Sequence, residues 1–361
     1  MTTRGPAHVT TRGPARGAAR GLAVVASLLL VVSLGVAGCT HADGPAPAPA
    51  PSPDLDGPPP AIAVNAGPYD AGPIRVPSLG AYLGAWVKPA VISQPGRLEA
   101  IDGLETRLDR DLDIVHTYRK WDEAFGTRSD LEFIDSGATV MLSWASGDTR
   151  SITSGEHDEL IQAQARRVAK VKRPVLLRFR WEMDRANLRP SMWSGDDYIA
   201  AWRHVRRIFD AQGARNASWV WCPTSEGFEN GEAPAFYPGD DAVDWTCVDV
   251  YAGEDFRSLG DLLDPFLRWA AERPKPILIG EYGVAAAWGS QARAAWLRDA
   301  TRLFKANPQI KGVCYFESNP DGNGPRKQFQ LTGDPPAFDA FAELTRDPWF
   351  NQPAAPRRQR T

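Results

Sequence analysis

The chain has 361 residues with 41 basic and 44 acidic side chains, a formal charge of −3 and four cysteines. That length is enough for one large domain with a substantial core. A weakly acidic balance argues against nucleic acid or anionic lipid as the substrate, the more so because four arginines and no acids fall before Cys39, leaving the remainder near −7.

In the N-terminal region Arg4, Arg12, Arg16 and Arg20 precede an uncharged apolar stretch from Gly21 to Val36, which ends in Val36-Ala37-Gly38-Cys39. This pattern is an export signal. The small residues before Cys39 resemble a bacterial lipobox, which implies cleavage after residue 38 and lipid attachment to Cys39 at the outer face of the cell membrane. An ordinary secretory signal is the alternative, and the run is short for a spanning helix. Residues 39–72 are rich in Pro and Ala, which favours extended polyproline conformation and reads as a stiff tether. Residues 73–350 are expected to form one catalytic domain, followed by a short basic tail at 351–361.

Eight short apolar runs are candidate strands: Ala81–Val87, Leu112–Tyr118, Ala138–Trp144, Pro174–Arg180, Ala217–Cys222, Trp245–Tyr251, Pro276–Glu281 and Lys311–Phe316. Between them lie segments of helical period such as Glu156–Val171 and Asp197–Phe209. The alternation predicts an α/β fold, a (β/α)8 TIM barrel. A doubly wound sheet is second, and no G-x-G-x-x-G follows the first strand to favour it. Cys222, Cys247 and Cys314 each sit in an apolar run. Buried free thiols are the expectation, with a Cys222–Cys247 pair as the alternative.

Barrel chemistry belongs at the carboxyl ends of the strands. Two of the runs break into glutamates there: Leu177 to Asp184 reads L-R-F-R-W-E-M-D and Pro276 to Gly283 reads P-I-L-I-G-E-Y-G. Strands four and seven face each other across an eight-stranded barrel, so Glu182 and Glu281 can flank a sugar, one protonating the leaving oxygen and one attacking or activating water. A carboxyl separation of about 5 to 5.5 Å means a nucleophile and retention, and a wider gap means inversion. Tyr251, at the end of the sixth strand beside the seventh, reads either as a donor to Glu281 that keeps it ionised or as a packing residue. Asp249 and Glu317 are competing acids without a partner of matching context, and Asp148, Asp184 and Glu226 read as loop acids. Trp86, Tyr118, Trp121, Trp144, Trp181, Trp193, Trp221, Tyr251, Trp288 and Phe316 lie at or just after strand ends, an aromatic ring suited to stacking on sugar C–H faces.

These residues resemble glycoside hydrolase family 26, the β-mannanases and related retaining β-glycanases. The likeness rests on R-F-R-W-E-M-D followed by Trp193, on W-V-W-C-P-T (Trp219 to Thr224), on the segment Tyr237 to Tyr251 and on P-I-L-I-G-E-Y-G. The resemblance implies Glu182 as acid/base, Glu281 as nucleophile, Arg178 as a site arginine and Tyr251 as the tyrosine steering the nucleophile. The family usually has histidine before the acid/base and asparagine two after it, where this chain has Trp181 and Asp184, so the sugar contacts must differ. Mannan is the default substrate, with β-glucan or β-xylan as alternatives. A surface lipoprotein that binds polysaccharide without cutting it is the rival of a different class. The histidines of the domain are His116, His157 and His204, without H-E-x-x-H, and no G-x-S-x-G is present. No metal or organic cofactor is called for, the membrane is met only through the lipid, and the oligomeric state is not readable.

Overall fold

The computed structural model describes residues 67–320 and 324–351. The export signal, Cys39 and nearly all of the tether and tail lie outside the described residues. Eight parallel strands close into a barrel in sequential order: β1 (Tyr82–Val87), β2 (Ile114–Arg119), β3 (Thr139–Trp144), β4 (Val175–Phe179), β5 (Ala217–Trp221), β6 (Trp245–Ala252), β7 (Ile277–Val284) and β8 (Ile310–Glu317). Each predicted strand is present, with ends shifted by at most three residues. The principal helices in chain order are α1 (Gln94–Leu108), α2 (Arg128–Asp135), α3 (Thr149–Thr153), α4 (Asp158–Val171), α5 (Arg189–Met192), α6 (Gly195–Ala211), α7 (Ser225–Glu229), α8 (Leu259–Ala271), α9 (Ser290–Ala306) and α10 (Pro335–Arg346).

Several helices begin where a serine accepts an orphan backbone N–H. Ser93 takes that of Gly96, Ser194 that of Asp197 and Ser258 that of Asp261. Alternation along each strand then sorts side chains into two cores. Residues such as Val140, Leu142, Phe179, Trp219 and Tyr282 face the helices. Ile114, Met141, Leu176, Val220, Trp245, Leu278 and Cys314 fill the barrel interior. The segment around Ala71 closes the amino-terminal end, its carbonyl accepting from Ser218 Oγ at 2.9 Å and Trp245 Nε1 at 3.1 Å. The opposite end is left to polar residues.

The four-seven relationship depends on an irregularity in β7. Val248 pairs with Ile279 while Asp249 pairs with Glu281, so Gly280 is an extra residue in the register. A Cβ at Gly280 would stand 2.5 Å from Cys247 Sγ, 2.8 Å from Asp249 Oδ1 and 2.9 Å from Arg178 Nη1. Only glycine fits, and the bulge aims Glu281 into the barrel while Tyr282 packs outward.

Candidate active site

Arg178 on β4 is fully buried and organises the mouth of the barrel. Its Nη1 donates to both carboxylate oxygens of Asp249, at 2.6 and 2.8 Å, its Nη2 pairs with Glu281 Oε1, and its Nε donates to Ser143 Oγ at 2.7 Å. Ser143 Oγ lies 2.6 Å from His116 Nε2. Because Ser143 accepts from the arginine, its own hydrogen points to His116, leaving the imidazole protonated on Nδ1. Burial, with the Arg178 charge beside it, holds His116 neutral well below the usual histidine range.

Glu281 is the focus of this network. Its Oε1 accepts from Tyr118 OH at 2.5 Å as well as from Arg178, and its Oε2 accepts from Tyr251 OH. Burial alone opposes its ionisation, but Arg178 and the two phenols outweigh that and bring its pKa down to about 2. Asp249 is not a competing acid but the second carboxyl group paired with Arg178, and burial, only partly offset by that arginine, pushes it well above the usual carboxylate range.

Glu182 is held differently. It sits just beyond β4 with a φ of +54, between Arg180 at +41 and, further along the same connection, Trp193 at +61. Such backbone costs of order 1–3 kcal/mol per residue and persists only where its surroundings impose it. The imposing contacts come from the end of β5: Glu182 N–H donates to Cys222 O at 2.7 Å, and Asp184 accepts from the Thr224 backbone N–H and hydroxyl. Asp184 is therefore a buried brace and not a solvated loop acid. Desolvation, followed by repulsion from Glu281, raises Glu182 to about 7 even though Arg185 Nη2 lies 2.9 Å from its Oε1. The arginine that meets Glu182 is thus Arg185, whereas Arg178 serves Glu281.

The aromatic ring separates into three groups. Tyr118 and Tyr251 bond the carboxylate directly, and Trp86, Trp181 and Phe316 stand around them: Trp86 is 4.8 Å and Trp181 5.1 Å from the Tyr118 ring, and Phe316 is 5.6 Å from that of Tyr251. Trp193 is half-exposed on the rim, its Nε1 donating to Asp148 at 2.6 Å with Arg150 over its ring, and Trp121 is half-buried. The expectation fails for Trp144, Trp221 and Trp288. Trp144 stacks on Trp121 at 4.4 Å and touches Phe125, while Trp221 packs on Tyr237 and Trp269, so both lie between barrel and helices. Trp288 is buried against Phe256 and Trp296 and donates to Gly253 O. All three are core residues.

Two further readings change. Cys222 and Cys247 form a disulfide, joining the residue after β5 to the first half of β6 next to Asp249, and among the described residues Cys314 alone remains a buried free thiol. Among the described residues the one candidate metal cluster is Cys222, Cys247 and Asp249, whose thiolates are consumed by that bond. Glu317 accepts from the backbone of Leu331 and Thr332 and from the Thr332 hydroxyl, anchoring the connection to α10. His116, Ser143 and Arg185 were not foreseen. The first two share the inward parity of Tyr118 and Arg178, which the strand alternation could have exposed.

Comparison with known proteins agrees with this geometry. Residues 137–306 match the family model described as Glycosyl hydrolase family 26. The chain is 28% identical over 300 residues to endoglucanase H of Acetivibrio thermocellus, covering 75% of this chain and 32% of that protein. It is 31% identical over 144 residues to the β-1,3-xylanase TXYA of a Vibrio species, covering 37% of this chain and 29% of that one. The chain thus spans about a third of the length of these curated relatives. Among solved structures the fold matches the β-mannanase BoMan26A of Bacteroides ovatus at a TM-score of 0.56 and 18% identity, over 75% of this chain and 89% of that one. The stretch matched by the glycosyl hydrolase family 26 model holds β4 with Glu182 and β7 with Glu281.

Proposed function

We propose that the chain is a retaining glycoside hydrolase acting on a β-linked polysaccharide, most nearly a β-1,4-mannanase, by double displacement. The observation that carries this is the division of proton affinity between two carboxylates at opposite strand ends: Glu281 at about 2 and Glu182 at about 7. Glu281 is ionised at any working pH and hydrogen-bonded so that its lone pairs are oriented. It attacks the anomeric carbon while Glu182, about half of it still protonated at neutral pH, gives its proton to the departing oxygen. Ionised Glu182 then takes a proton from water, which releases the sugar from Glu281 with overall retention.

Trp181 takes the place of the histidine that mannanases of this resemblance carry, and the relatives include an endoglucanase and a β-1,3-xylanase, so β-glucan and β-xylan stand beside mannan as substrates. Export and lipid attachment at Cys39 belong to the same reading. They are supported by the arginines and apolar run before Cys39 and by the Cys222–Cys247 disulfide, a bond suited to oxidising compartments. Membrane fractionation of the full chain against Cys39→Ala tests the anchor.

The direct test is reducing-end release from mannan, β-glucan and β-xylan, with the anomer of the first product followed by proton NMR. The wild type is expected to release the β-anomer first. Glu281→Ala is expected to lose at least about 10⁴-fold in turnover while still binding oligosaccharide. Full activity in that variant overturns the assignment, and binding by the wild type without release of reducing ends points instead to a polysaccharide-binding protein.

A further inference from the structure

Arg180 is a cation with no carboxylate in ion-pair contact among the described residues, Glu182 acting on it only at longer range. It follows β4, its side chain is largely buried, and its Nε has no hydrogen-bond partner. Its guanidinium instead stands 5.0 Å from the centre of the Trp181 ring, the same indole that lies 5.4 Å from the Arg178 guanidinium. An unpaired buried charge is expensive, and a cation–π contact recovers only part of the cost. Arg178 shows what a satisfied arginine looks like in this barrel, with two carboxylates at hydrogen-bond distance.

A second guanidinium flanks Glu182 from the other side. Arg185 is 46% exposed and pairs with Glu182 Oε1 at 2.9 Å. When Glu182 carries the proton that an acid catalyst needs, Arg185 loses the anion it faces. The other acids nearby do not replace it. Asp184 is occupied by Thr224, Asp249 is paired with Arg178, and both Asp249 and Glu226 on α7 act on Arg185 only at longer range. The working form of the site therefore presents two cations beside the acid, one on each side of it in sequence, with no ionised protein carboxylate in ion-pair contact with either.

We propose that Arg180 and Arg185 form an anion subsite and that the substrate is an acidic β-glycan, with a uronate carboxylate on a sugar next to the scissile bond. The inference rests on the hydrolase reading above and narrows its substrate class. The guanidinium fork matches a planar carboxylate with two parallel hydrogen bonds, which fits a uronate better than a neutral hydroxyl. The substrate carboxylate draws Arg185 away from Glu182 as Glu182 takes up its proton, so binding the correct glycan frees the acid for its task. Trp181 supplies the stacking face between the buried Arg178 network and this subsite.

The test uses the full chain on paired polymers: glucuronate-substituted β-xylan and its carboxyl-reduced form, and β-1,4-mannan and β-1,4-glucan, each plain and oxidised to the C6 carboxylate. The best substrate is expected to be a carboxylated polymer, with kcat/KM at least about tenfold above its uncharged counterpart, a preference worth about 1.4 kcal/mol. In the double variant Arg180→Gln, Arg185→Gln that ratio is expected to fall within about threefold of unity, with near-wild-type heat unfolding showing that the barrel is intact. Preference for the uncharged member of every pair, or a ratio that survives the double substitution, overturns the proposal while leaving the hydrolase reading in place. Failure to cut any of the polymers overturns the hydrolase reading and this inference with it.

Discussion

The ends of β4 and β7 hold the same side chain at nearly the same burial and make different acids of it. Glu182 is 7% exposed and Glu281 4%, so removal from water does not distinguish them. What does is the count of donors. Glu281 has an arginine and two tyrosine hydroxyls aimed at its two oxygens, while Glu182 has one half-exposed arginine and the negative charge of Glu281 across the cleft. Burial sets the cost of a charge, and hydrogen-bond partners decide whether the group pays it or keeps its proton. The comparison also separates two ways of fixing a side chain. Glu281 is aimed by a bulge within a strand, and Glu182 by a strained turn pinned to the end of β5.

The contrast can be broken from either side. Glu182→Gln is expected to lower turnover on unactivated glycans by about 10²–10⁴-fold, the usual worth of a positioned acid. It also removes the alkaline limb of the pH profile. In the wild type kcat/KM falls as pH rises through about 7, because Glu182 then enters the reaction without its proton. Activity on an aryl glycoside, whose leaving group needs little protonation, is expected to survive the first step. An unchanged alkaline limb in Glu182→Gln assigns that limb to another group.

Arg178→Met attacks the other end. It leaves Asp249 and Glu281 buried without their counter-ion, so unfolding in denaturant is expected to show a loss of about 3–5 kcal/mol. It also raises the pKa of Glu281, moving the acid limb of kcat/KM to higher pH. Tyr251→Phe removes one donor from Glu281 and should cost about 1.5–3 kcal/mol in the stability of the ionised form. Its acid limb is expected to move in the same direction but less far. A variant that loses activity with no shift of that limb gives Tyr251 a role in sugar contact rather than in holding the nucleophile.

The barrel was legible because its strands are buried on both faces and read as continuous apolar runs separated by helical periods. The same property hid the direction of side chains within them. Trp221 and Val220 are equally apolar in sequence, and only closure of the barrel puts the tryptophan under α8 and the valine inside. That is why Trp144 and Trp221 were read as part of the mouth, while Trp288 lies past β7 in the turn before α9, where strand alternation says nothing. The two glutamates were visible as acids ending apolar runs, and the Tyr251 bond was one of two readings that the adjacency of strands six and seven allowed. The Arg178–Asp249–Glu281 cluster was not visible, since its members lie 71 and 103 residues apart and meet only through register. Nor was Arg185 or the brace from Asp184 to Thr224, because both depend on the path of an irregular connection that no periodicity describes.

The central claim is that these two carboxylates titrate far apart, and it can be tested without knowing the glycan. Carbon-13 NMR of the full chain labelled at glutamate side-chain carboxyls, assigned with Glu182→Gln and Glu281→Gln, follows both groups through pH. The expected result is a Glu182 midpoint near 7 that falls in Glu281→Gln, and a Glu281 signal that stays ionised down to the limit of folding. Two midpoints in the ordinary glutamate range near 4.3, unmoved by either substitution, contradict the account.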